Sequence, residues 1–226
     1  MLPPVRMLFP NPADDVDVAA VYASAERPRS PWVLVNMIST VDGATAIGGK
    51  SGGLGGPADK TVFGAIRSLA DVILVGAGTV RAENYGPDAR LAIVTASLDL
   101  EPDARVFTGS VTPTVLTTAE ADPGRRDALA RVANVVTVND GRRVDLRTAL
   151  SHLDGVVVCE GGPSINGQLV ADDLVDELCL SLSPLLVGGD SPRVAHGAGA
   201  SQPRSLQLAH TLEADGLLFL RYVRSR

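Results

Sequence analysis

Val72-Ile73-Leu74-Val75-Gly76-Ala77-Gly78-Thr79-Val80 runs from four consecutive aliphatic residues through a glycine-punctuated turn into the start of a helix. An apolar run so short and so unbroken reads as a strand covered on both faces, the habit of parallel sheets. A second stretch, Val156-Val157-Val158-Cys159-Glu160-Gly161-Gly162-Pro163-Ser164-Ile165-Asn166, repeats the arrangement with proline at the first helical position. Strand, glycine turn and helix start in that order build α/β folds, whose ligands bind at the carboxyl ends of the strands.

Outward from these two stretches, further compact apolar runs at residues 32–38, 91–94, 114–116 and 135–138 read as strands. They alternate with helical spacing at 57–70, 123–132, 145–152 and 163–170. The last fifty residues differ, because strand-like runs at 174–182, 207–213 and 217–223 follow one another without a helix. Ala214-Asp215-Gly216 is the turn signal between the last two. The pattern predicts a three-layer α/β fold: a mixed, mostly parallel sheet with helices on both faces, ending in antiparallel strands. Residues 1–30, with Pro3, Pro4, Pro10, Pro12 and Pro28 around an amphipathic stretch at 15–26, read as an N-terminal arm carrying a short helix. Residues 31–226 read as one domain.

Composition excludes several functions. Of 226 residues 45% are hydrophobic and the net charge is −6, which suits a globular chain and gives no field attractive to a phosphate backbone. Nucleic acid is therefore not an expected partner. No apolar run reaches the roughly 18 residues of a membrane span, and the proline-rich first residues do not resemble an export signal, so a cytoplasmic protein is expected. Cys159 and Cys179 lie among aliphatic residues and read as buried free thiols. His152, His196 and His210 are too few and too irregularly spaced for a metal site. The cluster Arg221, Arg224 and Arg226 reads as a solvated tail.

Three glycine-bearing segments carry the candidate chemistry. The Gly76–Gly78 turn lets a phosphate or ribose approach the backbone at a helix start. Glu160-Gly161-Gly162-Pro163 sets an acid beside an anion cradle. Between Asn36 and Gly56, Ser39-Thr40-Val41-Asp42-Gly43 leads into a nine-residue segment from Gly48, six of whose residues are glycine, which reads as a flap over a substrate. Neither a dinucleotide GxGxxG fingerprint nor a P-loop is present.

Taken together, the motif from Trp32 to Gly43, Ile66-Arg67-Ser68-Leu69-Ala70-Asp71, the Ile73 to Glu83 stretch, Glu160-Gly161-Gly162-Pro163, Leu174 to Leu178 and Ser183 to Gly189 resemble, in order, the C-terminal reductase domain of the bacterial riboflavin-biosynthesis deaminase/reductase family. The resemblance spans about residues 31–223, and the zinc deaminase signature is absent. It implies a dihydrofolate-reductase-like fold, NADPH as cofactor, a homodimer, and reduction of the ribosyl group of a 5′-phosphorylated aminopyrimidine. It further implies cofactor contacts from Gly76, Ala77, Gly78, Thr79 and Glu83, with Gly161, Gly162, Pro163, Ser164, Ile165 and Asn166 at the pyrophosphate and Thr95 and Ser97 near the ribose phosphate. Ser51 and Arg67 match substrate-phosphate positions, Glu160 a substrate-contacting acid, and Asn36 stands where many bacterial members carry lysine. Asp42 and Glu160 are the acids available to move a proton. A dihydrofolate or dihydropterin reductase and a catalytically idle NADPH-binding protein are the competing readings.

Overall fold

The computed structural model describes residues 4–87, 89–197 and 199–225. Ten strands form one sheet: β1 (Arg6–Phe9), β2 (Trp32–Thr40), β3 (Val72–Gly76), β4 (Leu91–Val94), β5 (Thr114–Thr118), β6 (Asn134–Asn139), β7 (Val156–Cys159), β8 (Glu177–Ser183), β9 (Leu206–Ala214) and β10 (Leu217–Arg224). Their spatial order is β1-β9-β10-β8-β2-β7-β3-β4-β5-β6. From β8 through β6 every pairing is parallel, whereas β10 pairs antiparallel with both β8 and β9, and β1 antiparallel with β9. The sheet is thus mixed and mostly parallel, with its antiparallel part drawn from the two ends of the chain.

Alternation along the central strands divides the core between the faces. Val33, Val35, Leu74, Val157 and Cys159 point to one face, where they pack with α5 (Leu146–Leu150) and α6 (Pro163–Ala171). Trp32, Leu34 and Val158 point to the other, beneath α1 (Val18–Ala23) and α2 (Pro57–Arg67). On that same side Ile73, Val75, Leu91 and Ile93 meet α3 (Ala77–Glu83) and α4 (Pro123–Leu129). Helix α2 shows the physical logic: Pro57 starts it, and Ala58, Val62, Ala65 and Ile66 form the buried stripe. The β9–β10 turn forms where Asp215 and Gly216 both take positive φ, 53° and 77°, the conformation such a hairpin requires. No helix among the described residues is long and apolar enough to cross a membrane.

Two sequence readings need correction. Residues 6–9 of the N-terminal arm are an edge strand of the sheet, joined to β9, and Arg6 is ion-paired with Glu213 at 2.6 Å. Period-two patterning is too short there to register in the sequence. The presumed solvated tail is also structural: Arg221 is buried and donates from Nε to Glu177 Oε1 at 2.6 Å, while Arg224 donates to Asp173 Oδ2 at 2.6 Å. Arg221 sits on the inward side of β10, so its charge faces the core. Arg226 lies outside the described residues.

Candidate active site

The carboxyl ends of β2, β7 and β3 open into one cleft of about 860 Å³. Its floor is made by the two glycine turns. The N–H of Gly76 donates to the carbonyl of Gly161 at 2.8 Å, so the loops after β3 and β7 are stitched together. Gly161 has φ of +86°, and a Cβ built on Gly162 would lie 3.0 Å from Thr79 Oγ1. Glycine is therefore required here for backbone conformation and for close approach. Helices α3 and α6 start at Gly76 and Gly162, and neither start has a side-chain cap. At α6 Pro163 has no N–H and Ile165 donates to the Gly162 carbonyl at 2.9 Å, so the Ser164 N–H and the α3 start face an anion. This glycine cradle fits a dinucleotide pyrophosphate, with Gly78, Thr79, Gly162 and Pro163 on the cleft surface.

Glu160 follows β7 directly and is 7% exposed. Tyr85 donates to its Oε2 at 2.5 Å, and Arg67 Nη2 donates to the same oxygen at 3.2 Å. Arg67 Nε lies 3.0 Å from Oε1 but is not aligned for a hydrogen bond, leaving that buried oxygen without one. Burial raises the Glu160 carboxyl above the usual range, and the charge of Arg67 with the Tyr85 hydroxyl draws it only part of the way back. The Arg67 guanidinium is held flat by two rings, 5.2 Å from the Phe63 centroid and 5.4 Å from that of Tyr85. About a third of its side chain remains open to the cleft.

The glycine-rich segment is pinned at two points rather than loose. Ser51 donates from its N–H and its hydroxyl to Glu83 Oε1 at 2.8 and 2.9 Å, and the carbonyl of buried Leu54 accepts from Ser183 at 2.7 Å. Ser51 and Glu83, read from sequence as substrate and cofactor contacts respectively, therefore meet each other on one wall of the cleft.

Of the sequence-predicted residues, Asn36, Ser51, Arg67, Gly78, Thr79, Glu83, Glu160, Gly162 and Pro163 line the cleft. Gly76, Ala77 and Gly161 lie beneath that surface as the stitch between loops. The remainder lie outside the cleft lining. Ile165 belongs to the core under α6, and Asn166 is fully engaged, accepting from Cys159 Sγ at 3.4 Å and donating to the Val194 carbonyl at 2.8 Å. Ser164 points to solvent beside them. Thr95 accepts from the Leu98 N–H at 3.0 Å as a local cap, and Ser97 is exposed; neither lines the cleft.

Asp42 lies off the cleft lining. It bonds to Thr40 and accepts the N–H groups of Val187 and Gly188 at 3.0 and 2.7 Å, which holds the loop after β8 instead of the glycine-rich segment. The Thr40 hydroxyl and then the Gly188 N–H keep its carboxyl below the usual range. Tyr85, by contrast, was not visible in the sequence. It follows Asn84, the left-handed cap of α3 (φ 50°), in a stretch with no periodicity to mark it.

A family model described as the RibD C-terminal domain matches residues 31–218. The chain is 30% identical over 188 residues to the 2,5-diamino-6-ribosylamino-4(3H)-pyrimidinone 5′-phosphate reductase of Methanothermobacter thermautotrophicus, covering 76% of this chain and 87% of that protein. Among solved structures, a pyrimidine reductase-like protein from Corynebacterium diphtheriae superposes with a TM-score of 0.82 at 24% identity, over 93% of this chain and all of that one. A dihydrofolate reductase from Enterococcus faecalis, in complex with NADP(H), shares the fold at a TM-score of 0.54 and 12% identity, over 86% of this chain and 97% of that one.

Proposed function

Because the chain belongs to the RibD C-terminal domain family, we propose that it is the reductase of riboflavin biosynthesis, using NADPH to convert the ribosyl group of a 5′-phosphorylated aminopyrimidine into a ribityl chain. The observation that carries this reading is the meeting of the two glycine turns, at 2.8 Å between Gly76 N and Gly161 O, in the cleft that also holds Glu160 and Arg67. When bound there, NADPH supplies the hydride. The chain's own groups do the holding: the α3 and α6 starts take the pyrophosphate, with Thr79 beside them. Glu160 accepts a donor from the substrate, and Asn36 presents an amide to orient it. Arg67 is assigned the substrate phosphate because its planar guanidinium is suited to forked contact. Ser51 is held by Glu83, so it reaches a phosphate only by exchanging that partner.

The same reading places the chain in the cytosol, in keeping with two buried free thiols. It makes the chain a homodimer, for which the exposed side chains of Leu185, Leu186 and Val187 provide apolar surface. The test compares NADPH oxidation with the ribosylaminopyrimidine 5′-phosphate and with dihydrofolate. Turnover on the pyrimidine alone is expected. Turnover on dihydrofolate alone overturns the substrate assignment, and NADPH binding without turnover on either overturns the enzyme.

A further inference from the structure

The apolar stripe of α2 contains one acid. Asp59 stands three residues before Val62 and seven before Ile66, both buried, and so belongs to the face that the helix turns inward. Its carboxyl lines the cleft together with Asn36, Ile38 and Ser181. Its place is built into the backbone, because a Cβ on Gly55 would fall 2.3 Å from Asp59 Oδ2. The chain has no side chain at 55, and the carboxyl occupies that space.

Three carboxyls line the cleft: Asp59, Glu83 and Glu160. Glu83 is engaged by both donors of Ser51. Glu160 is engaged by Tyr85 and faced by Arg67. Among the described residues no cation is paired with Asp59: α1 brings the Tyr22 phenol within electrostatic reach and β8 brings the Ser181 hydroxyl. Burial raises its affinity for a proton, with Ser181 drawing it back only in part. Asp59 stands in the first turn of α2, where the helix dipole favours the carboxylate once the proton has left.

The proposed reaction needs such a donor. In a ribosylamine C1′ is saturated, bonded to both the ring oxygen and the amine nitrogen, and hydride can add only after a C=N bond exists. We propose, on the functional reading above, that Asp59 is the acid that opens the furanose ring. Its proton passes to O4′ as the C1′–O4′ bond breaks with its electron pair moving to oxygen. The nitrogen lone pair forms the C=N bond, leaving a 4′-hydroxyl, an iminium carbon ready for hydride, and Asp59 as carboxylate. A proton from solvent then restores the acid. Asp59 is thus a catalytic residue, and Glu160 is left to anchor the substrate.

Asp59→Asn tests this. The variant removes the acidic proton without changing shape, so its melting temperature and NADPH affinity are expected to match the wild type. Its kcat is expected to fall about 100-fold or more with KM unchanged, and the decline of wild-type kcat toward high pH should vanish. A substrate made from the 4-deoxy sugar phosphate has no ring oxygen and is presented already as the imine, so wild type and Asp59→Asn should reduce it at equal rates. If the variant keeps wild-type kcat on the natural substrate, or is as impaired on the 4-deoxy imine, the assignment is overturned. A wild-type protein that leaves NADPH untouched with both pyrimidines overturns the functional reading instead.

Discussion

Glu160 and Glu177 are both buried glutamates, at ends of the two parallel strands that flank β2, and their surroundings differ. Glu160 follows β7 at the cleft; Glu177 opens β8 on the other side of β2, level with Leu34 and hence with Val158. Glu177 is fully buried and accepts from Arg221 Nε at 2.6 Å, Trp32 Nε1 at 2.9 Å and Arg27 Nη2 at 3.3 Å. Burial alone would raise its carboxyl, yet the Arg221 hydrogen bond and charge, with Arg27 and Trp32, outweigh it and hold it below the usual range. Around Glu160 the balance falls the other way, because one guanidinium at the edge of solvent and one phenol do not repay the same burial. Burial thus does not decide a carboxylate's charge. The number and alignment of donors does, and the fold spends its donors on the structural glutamate while leaving the cleft acid under-satisfied.

The linkage signs are therefore opposite. Glu177, depressed in the folded state, contributes stability that is present above the ordinary glutamate range and is lost as pH falls through its lowered value. Glu160, raised in the folded state, contributes stability that is present at low pH and is lost as pH rises through its raised value.

The sharpest way to break this contrast is Arg221→Met, which leaves Glu177 buried with its best donor gone. Urea unfolding at pH 7 is expected to show a loss of roughly 3–5 kcal/mol. A loss below about 1 kcal/mol would mean that Arg27 and Trp32 suffice. Next comes His210, which packs edge-on against Tyr22 at 4.8 Å beside the same network. Burial, and then Arg221, lower its pKa from 6.5 to about 4. As pH falls from 6.5 to 4, the unfolded chain binds a proton that the folded chain refuses, so stability falls by up to about 3 kcal/mol. His210→Gln should flatten that part of the stability profile; an unchanged slope would remove His210 from the account. The smallest effect on stability is expected from Glu160→Gln. At pH 7 it should leave the unfolding free energy within about 1 kcal/mol of wild type, or slightly higher, while substrate affinity falls. A stability loss as large as that of Arg221→Met would erase the distinction between the two glutamates.

Much of this was legible in the chain itself. The strands Leu91–Val94 and Val156–Cys159 appear where the apolar runs place them, because a strand covered on both faces must be apolar throughout. The glycine turns were legible because only glycine meets their conformational and steric demands. Asp59 leaves a signal in the sequence, an acid on an otherwise apolar helix stripe. Arg221 and Tyr85 left none: nothing in a terminal arginine announces a buried carboxylate 44 residues earlier in the chain.

By itself, the sequence determined the layers, the parallel centre and the two turns, since these follow from local periodicity and from backbone freedom at single residues. Only the tertiary structure decided which charges face one another. It paired Arg221 with Glu177, Ser51 with Glu83 and Tyr85 with Glu160, and among the described residues it paired no cation with Asp59. Charge state depends on desolvation and on donors brought from distant segments, and neither is defined until the chain has folded.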